Sequence, residues 1–172
     1  MVSVRTVGYK QLSKLYNASK GVRKAAYLFM GAMEKSLASL KVKWEGLTYG
    51  LEDSTPLQKR IYTLYNTPLH KFSMDDVRFM IGQGVGVKQL LPIALSKLEH
   101  DILHDSCYYE GDLLSSVLTI PREYWVENII DYSKVYAMLV SKKEIMDKLD
   151  LSVEVNRGLR KKIEQFLISL IS

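Results

Sequence analysis

Apolar residues three and four apart recur from Val22 almost to the end of the chain. That period limits the fold more than any other feature. A strand alternates its faces every second residue, whereas a helix returns to one face every 3.6 residues. Leu90, Leu91, Ala94, Leu95, Leu98 and Ile102 follow the helical period across residues 87–103. Val155, Leu159, Ile163, Phe166, Leu167 and Leu170 follow it across residues 152–171. The spacing predicts an all-α fold, a compact array of about seven or eight helices joined by short connections. One domain is expected over residues 1–172, with a basic helical extension at 1–43, a core at 44–142 and C-terminal helices at 143–172.

Helix boundaries can be read from the residues that interrupt this period. Thr55, Pro56, Leu57 and Gln58 make a start, with Thr55 as cap, Pro56 in the first position and Gln58 closing a capping box. Leu57, Ile61, Leu64 and Tyr65 then mark a buried stripe, and Pro68 ends the helix. Ser73 caps a second helix whose first turn holds Asp75 and Asp76, with Phe72 stapled onto Val77. The glycines at 82, 84 and 86 follow a helix, so they read as a cap and turn and not as a phosphate loop. Upstream, Val22, Ala26, Leu28, Phe29, Ala32, Met33 and Leu37 predict a long helix ending near residue 40. Residues 41–54 are predicted to be irregular. Val42, Trp44, Leu47 and Tyr49 are compatible with a brief strand that has no evident partner. Residues 124–140 are predicted helical, with Ile129, Ile130, Tyr132, Val135, Tyr136 and Leu139 buried and a bend at 131–133.

The single cysteine, Cys107, excludes an internal disulfide framework and suits a reducing compartment. The most apolar run, AAYLFMGAM at 25–33, is far short of the ~20 residues that span a bilayer. The N-terminus lacks the pattern of a signal peptide. Charge is unevenly placed. Residues 1–44 carry nine lysines and arginines against Glu34 alone, whereas residues 98–121 carry five carboxylates and no lysine or arginine. Both clusters are compatible with solvated faces; each is also a candidate surface for a partner of opposite charge.

The acidic cluster leads into CYYEGDLLSSVLTIPREYW, residues 107–125. Gly111 permits a tight turn, and Asp112 is expected to cap the next helix by accepting from its free amides. The result is a short acidic and aromatic loop pinned between helices. Glu99, Asp101, Asp105, Tyr108, Tyr109, Glu110 and Asp112 are the candidate partner-binding residues. The competing reading makes the tyrosines core residues and Asp112 a cap only.

No residue set makes a convincing catalytic centre, and no metal or cofactor is expected. His100 and His104 share a face if HDILH is one helix, which would resemble a zinc-hydrolase motif with aspartate in place of glutamate. His70 reads as a surface or capping residue. Cys107 has no cue to a lowered pKa, and Ser115 and Ser116 sit in a helical pattern. Basic residues interleaved with Tyr9, Tyr16 and Tyr27 leave nucleic-acid binding through residues 1–44 as an alternative function.

PLHKFSMDDVRFMIGQGVGVKQLLPIALSKLE and YYEGDLLSSVLTIPREYW, with WEGLTYGLEDSTPLQKRIYTLY before them, resemble the immunity proteins of bacterial contact-dependent growth inhibition (CDI) systems over about residues 44–142. The resemblance implies a small cytoplasmic, non-enzymatic protein. It would bind a cognate toxin domain, expected to be a tRNA-cleaving nuclease, as a monomer in a one-to-one complex and block its active site. It implies neither a membrane partner nor direct nucleic-acid binding. Residues 1–43 and the run HDILHDSC depart from the family pattern.

Overall fold

The structure is a computed structural model that describes residues 28–46, 51–150 and 152–168. Residues 28–33 are helical, followed by α1 (Pro56–Asn66), a 3-10 turn (Leu69–Lys71), α2 (Met74–Gly82), α3 (Val87–His100), α4 (Asp112–Val117), α5 (Arg122–Glu127), α6 (Ile129–Ser141), α7 (Lys143–Met146) and α8 (Glu154–Ile168). Among the described residues the only β feature is an isolated bridge between Ser36 and Pro68, so the fold is all-α. No strand forms at 42–46; residues 47–50 lie outside the described set. The described residues fall into two compact units that divide between Ser96 and Lys97.

In the first unit both capping boxes form. The Thr55 hydroxyl accepts from the Gln58 N–H while the Gln58 side chain accepts from the Thr55 N–H. Ser73 and Asp76 make the same reciprocal pair at α2. Thr67, ahead of Pro68, is extended and closes α1. The stripe of α1 is narrower than the sequence period predicts. Ile61 and Leu64 are buried, Tyr65 is half-buried and Leu57, in the first turn, is exposed. Arg60 joins α1 to α2, donating to Asp75 at 2.7 Å and Asp76 at 3.2 Å, with its guanidinium 4.1 Å from the centre of the Phe79 ring.

The long helix predicted from residue 22 stops at 33, and its earlier part lies outside the described residues. From 34 the chain runs in turns that carry Leu37 into a fully buried position. There it meets Gly86, whose φ of +70° favours glycine; a Cβ at that position would stand 2.7 Å from both Leu37 methyl carbons. His70 does cap: its Nδ1 is 3.2 Å from the carbonyl of Met33, the last residue of helix 28–33.

In the second unit, α5 and α6 meet at Asn128, whose φ of −124° and ψ of 55° break the helix. The break therefore falls before the bend predicted at 131–133. Trp125 is buried, donates through Nε1 to the Ile120 carbonyl at 3.0 Å, and meets Phe166 edge-on at 5.3 Å. Tyr132 stacks against Phe166 at 4.8 Å and seats α6 on α8. The Tyr124 hydroxyl donates to Asp131 at 3.3 Å; burial, reinforced by that carboxylate, pushes its pKa up to about 12. Tyr132, Val135 and Leu139 are buried as expected, but Ile129, Ile130 and Tyr136 are exposed, as is Val155 on α8. Helical spacing groups residues by face, and it does not say which of two apolar faces the neighbouring elements cover.

Candidate functional site

The acidic segment becomes a loop because α3 stops at His100, three residues earlier than its apolar spacing predicts. Ile102 stays buried beyond the helix end, which explains why its place in the sequence mimics a helical position. The Leu103 carbonyl then accepts the Gly111 N–H at 2.9 Å and closes the loop on itself. Gly111 has φ +86° and caps α4. A Cβ on it would stand 2.6 Å from Cδ2 of Leu159, so both the backbone angle and the close approach of α8 require glycine.

Asp112 does not cap α4 in the manner the sequence suggests. It is the first residue of the helix, and its carboxylate turns back into the loop. Oδ1 accepts the Ser106 N–H at 2.8 Å; Oδ2 accepts the N–H groups of Cys107 at 3.1 Å and Tyr108 at 3.2 Å. The side chain is only 2% exposed. A buried carboxylate needs such donors, because desolvation of an ion without compensating hydrogen bonds is costly. With three successive amides turned inward, the loop presents Asp105, Cys107, Tyr108 and Glu110 to solvent.

The sequence-predicted residues thus separate into two roles. Glu99, Asp101, Asp105 and Glu110 are exposed; Tyr108 is 67% exposed and Tyr109 is half-buried. Asp112 lies beneath them and holds the loop. Asp101 faces His104 Nδ1 at 3.3 Å. Glu99, Asp105 and Glu110 form no ion pair among the described residues.

Asp101, Asp105 and Glu110 line one side of a cleft of ≈ 400 Å³, with His100 and His104 beside them. Lys142 and Ile145 line the other side. Sequence reasoning missed these last two, since nothing local to residues 142–145 ties them to a loop more than thirty positions earlier. The cleft offers carboxylates to a cationic group, with the Ile145 side chain as an apolar wall.

The helix end at His100 also separates His100 from His104, so HDILH is not one helical face. Among the described residues no group of three or more His, Cys, Asp or Glu side chains is placed to hold a metal ion. Ser115 is buried on α4 and its hydroxyl accepts from Lys162 Nζ at 2.6 Å. Cys107 is exposed on the loop. Most of the basic segment proposed for nucleic-acid binding lies outside the described residues; Lys35, Lys41 and Lys43, which lie within them, are exposed. No helix among the described residues is long and apolar enough to cross a membrane.

Residues 45–135, more than half of the chain, match the family described as CDI immunity proteins. The chain belongs to that family, whose members bind and neutralise a cognate CDI toxin. No curated protein and no solved structure matches it. The matched range contains the whole acidic loop and Asp112.

Proposed function

We propose that this protein neutralises its toxin by binding it one-to-one in the cytoplasm and covering the toxin's active site, without catalysis of its own. The family match over residues 45–135 carries the reading. The toxin is taken to be a nuclease that cleaves RNA, tRNA foremost. Such an enzyme contacts phosphates through lysine, arginine or histidine, and an exposed set of carboxylates is the complementary surface.

Glu99, Asp101, Asp105 and Glu110, with Tyr108 and Tyr109, form the toxin-facing surface in this reading. Three of the carboxylates have no cation paired with them among the described residues, so they enter a complex without first breaking an internal salt bridge. Asp112 contributes by fixing the loop on which they stand.

The test is titration of the purified protein with its cognate CDI toxin domain. Reversing Asp105 and Glu110 to lysine is expected to slow association and raise Kd by at least tenfold, with the loss largest at low salt. Equal affinity of the reversed and native proteins contradicts the assignment of the surface.

A further inference from the structure

Helix α6 departs from the pattern of the other long helices. Its inner side is buried through Tyr132, Val135 and Leu139. Its outer side is apolar as well: Ile129, Ile130, Tyr136 and Val140 are 55%, 71%, 37% and 53% exposed. Ser133 and Ala137 lie exposed between them. The one charged residue of that side, Lys134, is paired with Asp131 at 3.1 Å. On α8 the middle of the outward side carries Arg157, Lys161, Glu164 and Gln165, an ordinary solvent face, and its exposed apolar residues, Val155 and Ile168, stand apart near the two ends. A helix that is apolar nearly all round is normally covered on both sides, and contiguous exposed apolar side chains mark binding surfaces.

The stripe does not end with α6. Lys142 follows it directly, and Ile145, 44% exposed, is both the next exposed apolar residue and a wall of the acidic cleft. Apolar ridge and acidic cleft therefore meet at Ile145, within the second unit. We infer that the outer face of α6 is the apolar half of the toxin-binding surface, with the cleft as its polar half. The inference rests on the toxin-binding reading above.

Charge chooses the occupant. Asp101, Asp105 and Glu110 outnumber the one lysine of the cleft, Lys142, so its lining disfavours phosphate and with it a nucleic acid or an anionic membrane surface. They favour a protein that sets an apolar patch on Ile130 and Val140 and sends a lysine or arginine into the cleft. Such an arrangement, an apolar centre containing tyrosine beside a charged margin, is the common anatomy of a specific protein interface.

The experiment uses the full chain and the cognate CDI toxin domain. Ile130→Glu and Val140→Glu are made together, with Gln165→Glu on α8 as control. Toxin affinity, helical circular dichroism and the solution mass of the free protein are measured. Native affinity is expected to fall by about a hundredfold in the double variant. The control is expected to bind as the native protein does, with helix content unchanged and the free protein monomeric. Should the glutamates lower the helix content, Ile130→Gln with Val140→Thr gives the same comparison at smaller perturbation. Native binding that survives the substitutions overturns the inference and leaves toxin neutralisation standing. A native dimer that the double variant dissolves, with toxin affinity intact, also overturns it, because a second copy then covers the face. No binding by the native protein contradicts the toxin reading and removes the inference with it.

Discussion

The buried Asp112 carboxylate accepts the backbone N–H of Ser106 at 2.8 Å, from six residues further along the chain. This bond and its two companions from Cys107 and Tyr108 fix the shape of the acidic loop. Asp112→Asn keeps the size of the side chain but offers an acceptor on only one side. At least one of the three amides then faces an NH2 group. A loss of about 2 kcal/mol is expected by urea denaturation, and about 3 kcal/mol for Asp112→Ala. Hydrogen exchange at Ser106, Cys107 and Tyr108 is expected to accelerate more than exchange in α8. Unchanged exchange at these amides contradicts the holding role.

Gly111 and Gly158 are expected to respond to alanine with opposite signs. At Gly111 the new methyl group meets Leu159 at 2.6 Å with φ at +86°, and a cost of about 2–4 kcal/mol is expected. Gly158 lies exposed within α8 with nothing within 4 Å of an added Cβ. There alanine is expected to stabilise by about 0.5–1 kcal/mol. Thermal denaturation of the two single variants checks both signs.

Much of the fold was legible from residues that act on their neighbours. Thr55 with Gln58, Ser73 with Asp76, and the Pro68 stop are local devices, and each forms as the sequence implies. The misjudged positions depend on contacts distant in sequence. Ile129, Ile130 and Tyr136 have core chemistry, but no described element covers them. Asp112 stands where caps stand, yet its carboxylate is drawn toward amides behind it, because the loop closes through Gly111 and Leu103. At the candidate site, the acidic and aromatic residues could be found from charge density alone. Lys142 and Ile145 could not, since only the fold brings them to the cleft.

Asp75 gives the first unit an acid-sensitive tie between α1 and α2. Burial acts to raise its pKa, but hydrogen bonds from Arg78 and Arg60 outweigh burial and hold the carboxyl below the ordinary value of 3.8. Its folded pKa is thus below its unfolded one. The stabilisation is complete above the unfolded pKa and is lost as pH falls through the folded value. Asp75→Asn is expected to lower stability near neutrality by on the order of 1 kcal/mol, a modest figure because Arg60 remains partly solvated. Stability measured across the acid limb is expected to fall less steeply in the variant than in the native protein.

The two capping boxes are expected to contribute separately. Thr55→Ala and Ser73→Ala each remove a hydroxyl that accepts from the third residue of its helix. Each is expected to cost about 1 kcal/mol. They cap different helices, so the double variant is expected to show nearly the sum of the single losses in denaturant melts.

Toxin neutralisation is tested most directly by co-expression with the cognate CDI toxin domain, following growth, RNA integrity and recovery of a complex. Restored growth, intact RNA and a one-to-one complex are the expected results. Growth arrest that persists beside soluble, folded protein, with no complex recovered, contradicts the account.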